Sequence, residues 1–442
     1  MSALTFVPLG GSNEIGMNLN VYGHDGRWLV VDCGIGFEAI GPGDTKVWLP
    51  DPAFLAQQPD AVAGLVITHV HMDHLGAVAD LWPRLRCPIW CTPFAAAVLR
   101  GRLRESGLVH RVEIHERLPG DRFDVGPFDV EFVGLTHSTV EMVGLVLRAG
   151  GTTVFHTGDF KLDPRPGLGP LSDLATLELV GAEGVQVCIS DSTNATRGGW
   201  SASEGTVEER LRELIAARTG RVAVGVFSSN IARMAALLRL AQEHERSTVV
   251  VGRSLHRMLQ AAREAGYLRT VPDPVSPREA RLLPRERVLM LCTGTQAEPG
   301  STLYRLAHGG HPDAVLEEGD TVIFSSKVIP GNEEEIERLH RAFEAQRIEV
   351  VHELDDPAVH ASGHPCRDEL AALYAALRPA VVVPVHGTPR HLEAHADWAR
   401  ALGLEATQVR NGDVLHLGPG PVRQVGTVPA GRIPREAMQR RR

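Results

Sequence analysis

Residues 65–78 read LVITHVHMDHLGAV: three histidines and an aspartate fall within six positions, directly after an apolar run. Four ligand-type side chains so close together are costly to bury without a cation. The run LVIT has strand character, so His69 is delivered to a strand end. His69 and His71 are two apart and share a side in extended chain. Asp73 and His74 open a helical stretch and diverge because they are adjacent. One pair can therefore serve one cation and the other pair a neighbouring one. Two bare cations would repel at that range, so an anionic bridge is expected between them.

Further ligand types end other apolar strands: His137 closes FVGLTHS, Asp159 closes TVFHTGD and His386 closes VVVPVHG. Taken together, five histidines and two carboxylates suit two zinc-like ions with open water positions better than one closed structural site. Asp32, at the end of WLVVD, reads either as a partner orienting a ligand histidine or as a turn carboxylate. His24, His110, His115 and His416 read as ordinary polar residues. Cys87 and Cys91 lack a second Cys or His pair beside them, so the six cysteines of the chain read as buried reduced thiols.

The chain is 442 residues long, which exceeds one ordinary core and implies two or three domains. Residues 1–202 carry short strands broken by Gly and Asp turns. Residues 203–358 alternate helices such as EGTVEERLRELIAART with near-continuously apolar strands such as TVVVG and RVLMLCTG, the pattern of a sheet covered on both faces. Ligand-bearing strand ends return over 359–425. The middle segment is therefore expected to be an α/β insertion in a discontinuous outer domain. Residues 426–442 form a basic tail expected to fray. With no membrane-length apolar run and no signal-like start, a cytoplasmic protein is expected. The formal charge of −9 does not suggest nucleic acid, although a local groove or bound cations can reverse the field.

The HxHxDH cluster followed by separated His, Asp and His resembles the signature of the metallo-β-lactamase superfamily. The stretches 10-GGSNEIGMN-18, 189-ISDSTN-194, 228-SSNIAR-233, 293-TGTQAEP-299, 325-SSKVIPGNEEE-335, 362-SGH-364 and 384-PVHG-387 narrow the resemblance to the ribonuclease J family of β-CASP nucleases. It implies an α/β fold, a metallo-β-lactamase αββα sandwich with an inserted β-CASP domain. It also implies two zinc ions, with manganese or magnesium as possible activators, and single-stranded RNA as substrate. His69, His71 and His137 would hold the first zinc, Asp73, His74 and His386 the second, and Asp159 would bridge. Asp191 would orient His364, and Asp73, Asp191 and His364 would be the catalytic set. Ser228, Ser229, Asn230, Ser362, Gly363 and His364 fall where the family binds RNA phosphates, although Ser228 to Asn230 also read as a helix cap.

Two departures stand out. Val70 and Met72 occupy places where the family usually has a small residue and a glutamate. The family's usual C-terminal domain, which aids oligomerisation, has no counterpart here, so any homodimer is expected to be weakened. The implied reaction is 5′-3′ exonuclease and/or endonuclease cleavage of RNA by metal-activated water, leaving a 5′-phosphate. The competing readings are a small-molecule hydrolase of the same fold (lactonase or β-lactamase-like), an RNA-binding subunit with little activity, and the iron branch of the superfamily. The last places a carboxylate where His71 stands.

Overall fold

The computed structural model describes residues 3–41, 44–329 and 331–439. Its apolar strands sort into two large sheets packed face to face. One sheet runs, in spatial order, Arg423–Thr427, Asp413–Gly418, Leu4–Gly10, Leu19–His24, Arg27–Val31, Val62–Val66, Ile89–Cys91 and Ile114–Glu116. The other runs Glu405–Ala406, Val381–Val385, Val187–Asp191, Thr152–His156, Val143–Ala149, Phe128–Gly134 and Arg122–Val125. Inward side chains of both sheets, among them Phe6, Tyr22, Phe132 and Val383, share one core. Helices cover the outer faces. Leu75, Leu81 and Phe94 pack on the first sheet, and Leu177, Leu373 and Ala399 on the second. This is the expected four-layer αββα sandwich.

Both sheets are completed by the end of the chain. Leu4–Gly10 pairs antiparallel with Asp413–Gly418, and Val187–Asp191 pairs parallel with Val381–Val385. Between these partners in sequence lies a separate five-stranded sheet in the order Ser247–Val251, Val288–Cys292, Val222–Gly225, Thr321–Phe324 and Glu349–His352, parallel throughout. Its strands are apolar because helices cover both faces. One face packs around Phe324, Ile336 and Phe343. The other merges with the outer-helix core of the sandwich through Met234, Leu255 and Met258. The two units thus share a continuous apolar seam.

The tail departs from the expected fraying. Residues 423–427 form the edge strand of the first sheet, and Arg432–Pro434 pairs with Asp44–Pro50. The short helix Arg435–Gln439 buries Met438, and Arg435 lies 3.0 Å from Asp80. Basic residues there satisfy a buried carboxylate instead of facing solvent. Residues 440–442 of that tail lie outside the described residues. No helix among the described residues is long and apolar enough to cross a membrane. All six cysteines are free and buried, and burial pushes the Cys87 thiol up to about 12.

Candidate metal centre

Each ligand-type residue is placed by a strand that ends beside it. The fully buried strand Val62–Val66 runs into Thr68 and His69, and the short helix Met72–Leu75 starts immediately after His71. That helix is held from outside: Asn18 N–H donates to Asp73 O at 2.9 Å and Cys33 N–H to His74 O at 2.6 Å. The approach is so close that a Cβ on Gly34 would lie 1.6 Å from Asp73 O. His137 follows Phe128–Gly134, Asp159 follows Thr152–His156, and His386 follows Val381–Val385. His386 has a φ of +52°, a left-handed conformation rare for a residue with a side chain. Its N–H donates to Gly11 O at 2.7 Å, which pins that strained backbone.

The side chains converge in two groups. His69, His71, His137 and Asp159 bring one ligand atom each within 4.8 Å of one another, and Asp73, His74, Asp159 and His386 do the same. Asp159 belongs to both. Hydrogen bonds behind the groups decide which ring nitrogens face inward. His74 Nδ1 donates to Asp32 Oδ2 at 2.7 Å, leaving Nε2 3.1 Å from Asp159 Oδ2. Thr68 Oγ1 donates to Asp32 and so accepts from His69 Nδ1 at 3.0 Å. His137 Nδ1 donates to Gly363 O at 2.6 Å, and its Nε2 lies 3.0 Å from His71 Nδ1. Asp32 is therefore the partner that orients two histidines, and not a simple turn carboxylate. Its own φ of +64° marks a position held by that network.

Two buried nitrogens in this cluster, His69 Nε2 and His386 Nε2, have no hydrogen-bond partner. A buried orphan lone pair aimed at carboxylates is what a cation site presents before the ion is placed. Burial holds His69 and His137 well below the ordinary imidazole range and His71 down to about 4, so all three are neutral ligands. His74 and His386 behave oppositely. Burial disfavours their charge, but Asp159, ahead of the other carboxylates, outweighs it and raises both. The donor set of imidazoles and carboxylates without thiolate fits divalent cations of the zinc class.

On one side of the cluster His364 Nδ1 lies 2.7 Å from Asp191 Oδ2 and 3.9 Å from Asp159 Oδ2. Burial opposes charge on His364, yet Asp191 and then Asp159 raise it. Gly363 permits this approach, because a Cβ there would meet His137 Cε1 at 2.5 Å. Ser362 Oγ accepts from Asn194 Nδ2 at 2.9 Å and His364 N–H points to it at 3.3 Å, so it braces the turn. Ser228 and Ser229 line a cavity of about 270 Å³ together with Val70 and Met72. Asn230 instead caps the helix Ile231–Glu243, accepting from Arg233 N–H at 2.8 Å and donating to Glu204 at 3.3 Å. Its side chain is thereby spent on structure. Met72 Sδ is 3.0 Å from Arg102 Nη1, so the apolar variant position faces a cation. His24, His110, His115 and His416 take no part in either group.

Residues not singled out from sequence also matter. Asn18 Nδ2 sits 3.0 Å from His74 Nε2, and Thr193 Oγ1 sits 3.2 Å from His386 Nδ1. Their signal was position alone, since both lie in the GGSNEIGMN and ISDSTN stretches.

Comparison with known proteins agrees with this geometry. Residues 27–183 match a family model described as a beta-lactamase superfamily domain. Residues 219–342 match one described as the beta-CASP domain of ribonuclease J, and 357–409 a Zn-dependent metallo-hydrolase RNA specificity domain. A protein of Sinorhizobium meliloti named ribonuclease J is 40% identical over 97% of this chain and 77% of its own length. One of Synechocystis with the same name is 36% identical over 97% of this chain and 68% of its own. A solved structure from Enterococcus faecalis of unknown function covers 93% of the chain with a TM-score of 0.65 at 15% identity, a likeness of fold alone.

Proposed function

The chain belongs to the ribonuclease J family, and from that premise we propose that it cleaves single-stranded RNA with two zinc ions, as a 5′-3′ exonuclease and/or endonuclease. As a metal-dependent hydrolase acting on RNA it needs a nucleophilic water, charge neutralisation at phosphorus and a proton for the leaving oxygen. The observation that carries the proposal is the sharing of Asp159 by two four-residue ligand groups beside the Asp191–His364 pair.

His69, His71, His137 and Asp159 would hold one ion, and Asp73, His74, His386 and Asp159 the other. Bound there, the ions supply Lewis acidity that activates water near neutral pH and offsets charge on the phosphoryl oxygens. The chain's own groups do the rest. Asp32 and Thr68 keep the imidazoles of His69 and His74 turned inward, and Gly363 O does so for His137. Asp191 holds His364 through Nδ1, which leaves Nε2–H to bond a phosphate oxygen or protonate the departing 3′-oxygen. Water oxygen bonds to phosphorus, the P–O3′ bond breaks, and the products are a 3′-hydroxyl and a 5′-phosphate. Ser228, Ser229 and the backbone around Ser362 and Gly363 would contact flanking phosphates. We read residues 1–202 and 359–425 as the hydrolase domain, 203–358 as the β-CASP insertion, and the cytoplasm as the site of action.

Metal analysis of the purified protein, run beside cleavage of 5′-monophosphorylated and 5′-triphosphorylated RNA, tests this reading. About two zinc per chain and 5′-phosphate products are expected. Turnover of a lactam or lactone with no RNA cleavage would defeat it.

A further inference from the structure

Away from the metal cluster, the carboxyl ends of strands Ser247–Val251 and Val288–Cys292 open into a cavity of about 650 Å³. Arg253, Arg257, Arg305, His256 and His311 line it, and no aspartate or glutamate does. Arg257 pairs with Glu105 at 2.8 Å outside the cavity. Arg253 and Arg305 have no carboxylate partner among the described residues. His311 Nδ1 accepts from the N–H groups of Ala314 at 2.8 Å and Asp313 at 3.3 Å, so its ring hydrogen sits on Nε2 as a donor. The helix Arg253–Glu264 begins at the same mouth behind Gly252, with no side-chain cap on its first turn. A Cβ on Gly252 would lie 2.5 Å from Thr293 Cγ2, at a φ of +139°. Every charged group at the mouth is thus a cation or a donor, in a chain whose net charge is −9.

The occupant is constrained by what adjoins the cavity. The smaller cavity of about 270 Å³ shares Ser254 and Arg257 with it and reaches Val70 and Met72, which alternate with the ligands His69, His71 and Asp73. Arg102 and Arg104 line that connection. A continuous path with cations along it suits a linear polyanion better than a free small anion. No Phe, Tyr or Trp lines the larger cavity, so bases have no ring to stack on. Contact would be to the sugar–phosphate backbone and therefore independent of base sequence.

We propose that this cavity is a second phosphate-binding station, which holds the backbone of the same RNA strand whose scissile bond lies at the metal cluster. The inference rests on the reading of the chain as an RNA phosphodiesterase. Holding the strand at two separated points raises affinity for long RNA with no added contact at the reacting phosphate.

The test is the double variant Arg253→Ala/Arg305→Ala of the full zinc-loaded chain. Both side chains are exposed and unpaired, and circular dichroism with a thermal melt checks that the fold persists. Binding of poly(A) and of a 5′-phosphorylated dinucleotide is followed by fluorescence anisotropy across a potassium chloride series, and their kcat/KM values are compared. The expected result is roughly tenfold weaker poly(A) binding, with the log–log salt slope reduced by about two, one per lost phosphate contact. Preference for poly(A) over the dinucleotide should shrink in proportion. Unchanged poly(A) affinity and slope would overturn the station. So would an equal loss for the dinucleotide, which would place the arginines at the reacting end. If the wild-type chain cuts neither RNA, the proposed function fails, while the anisotropy slopes still decide whether the station exists.

Discussion

At the level of single residues, the histidines divide by what holds their other ring nitrogen. His69 and His74 are both oriented through Asp32, directly or by way of Thr68, and His137 through a backbone carbonyl. Asp32→Asn keeps a residue that tolerates the left-handed backbone but replaces the carboxylate. It should lower zinc affinity about 10- to 100-fold, read by competition with a chelating dye. The His364–Asp191 pair stands outside the proposed ligand sets. His364→Ala should reduce cleavage about 10²- to 10⁴-fold while zinc content stays at the wild-type value; loss of zinc in parallel would make it a ligand instead. The ligand types were legible because four of them crowd into 65-LVITHVHMDHLGAV-78. Asp32 was not decidable from sequence, because a strand-end aspartate looks the same whether it faces solvent or a histidine.

At the level of elements, apolar strands ending in polar ligands explain the site, and the helix that follows Ser228-Ser229-Asn230 explains its rim. Asn230 caps that helix, and Arg233, three residues on, is fully buried. Its Nε donates to Glu204 Oε2 at 2.9 Å and its Nη2 to Glu204 Oε1 at 3.0 Å. Its Nη1 reaches Ser325 O at 3.3 Å and Val359 O at 3.2 Å. One guanidinium thus ties two helices to both chain crossings that bound the α/β sheet. Arg233→Met would strand Glu204 in the interior and should destabilise by about 3–5 kcal/mol in urea unfolding. A change below about 1 kcal/mol would show that the pair merely satisfies itself. The tail 426–442 was misjudged for an element-level reason. Its composition looks solvated, but Arg432–Pro434 finds a sheet edge and Arg435 a buried aspartate far away in sequence.

For the whole molecule, the proposed ions join segments that lie far apart in the chain, 69–74, 137, 159 and 386. Chelation should therefore lower the melting temperature as well as abolish cleavage, and zinc should restore both. A thermal shift unchanged by chelator would contradict the ligand assignment. A second link is His395, which sits fully buried with its Nδ1 2.8 Å from Ser192 Oγ and its Nε2 hydrogen-bonded to Tyr374. Burial lowers its pKa to about 4. The unfolded chain takes up a proton below about pH 6.5 while the folded chain does not, so stability is lost as pH falls through that window. The slope is at most about 1.4 kcal/mol per pH unit, and His395→Gln should flatten it relative to wild type in urea unfolding at neutral and mildly acidic pH. The one-dimensional pattern was enough to determine the fold class, the seven candidate ligands and the family, because strand periodicity and ligand spacing are local properties of consecutive residues. Only the tertiary structure decided that Asp32 orients two histidines, that Asn230 is spent on a cap, and that Arg253, Arg257 and Arg305 gather round one cavity in an acidic chain. Those outcomes depend on which side chains meet across long sequence separations, and neither composition nor net charge carries that information.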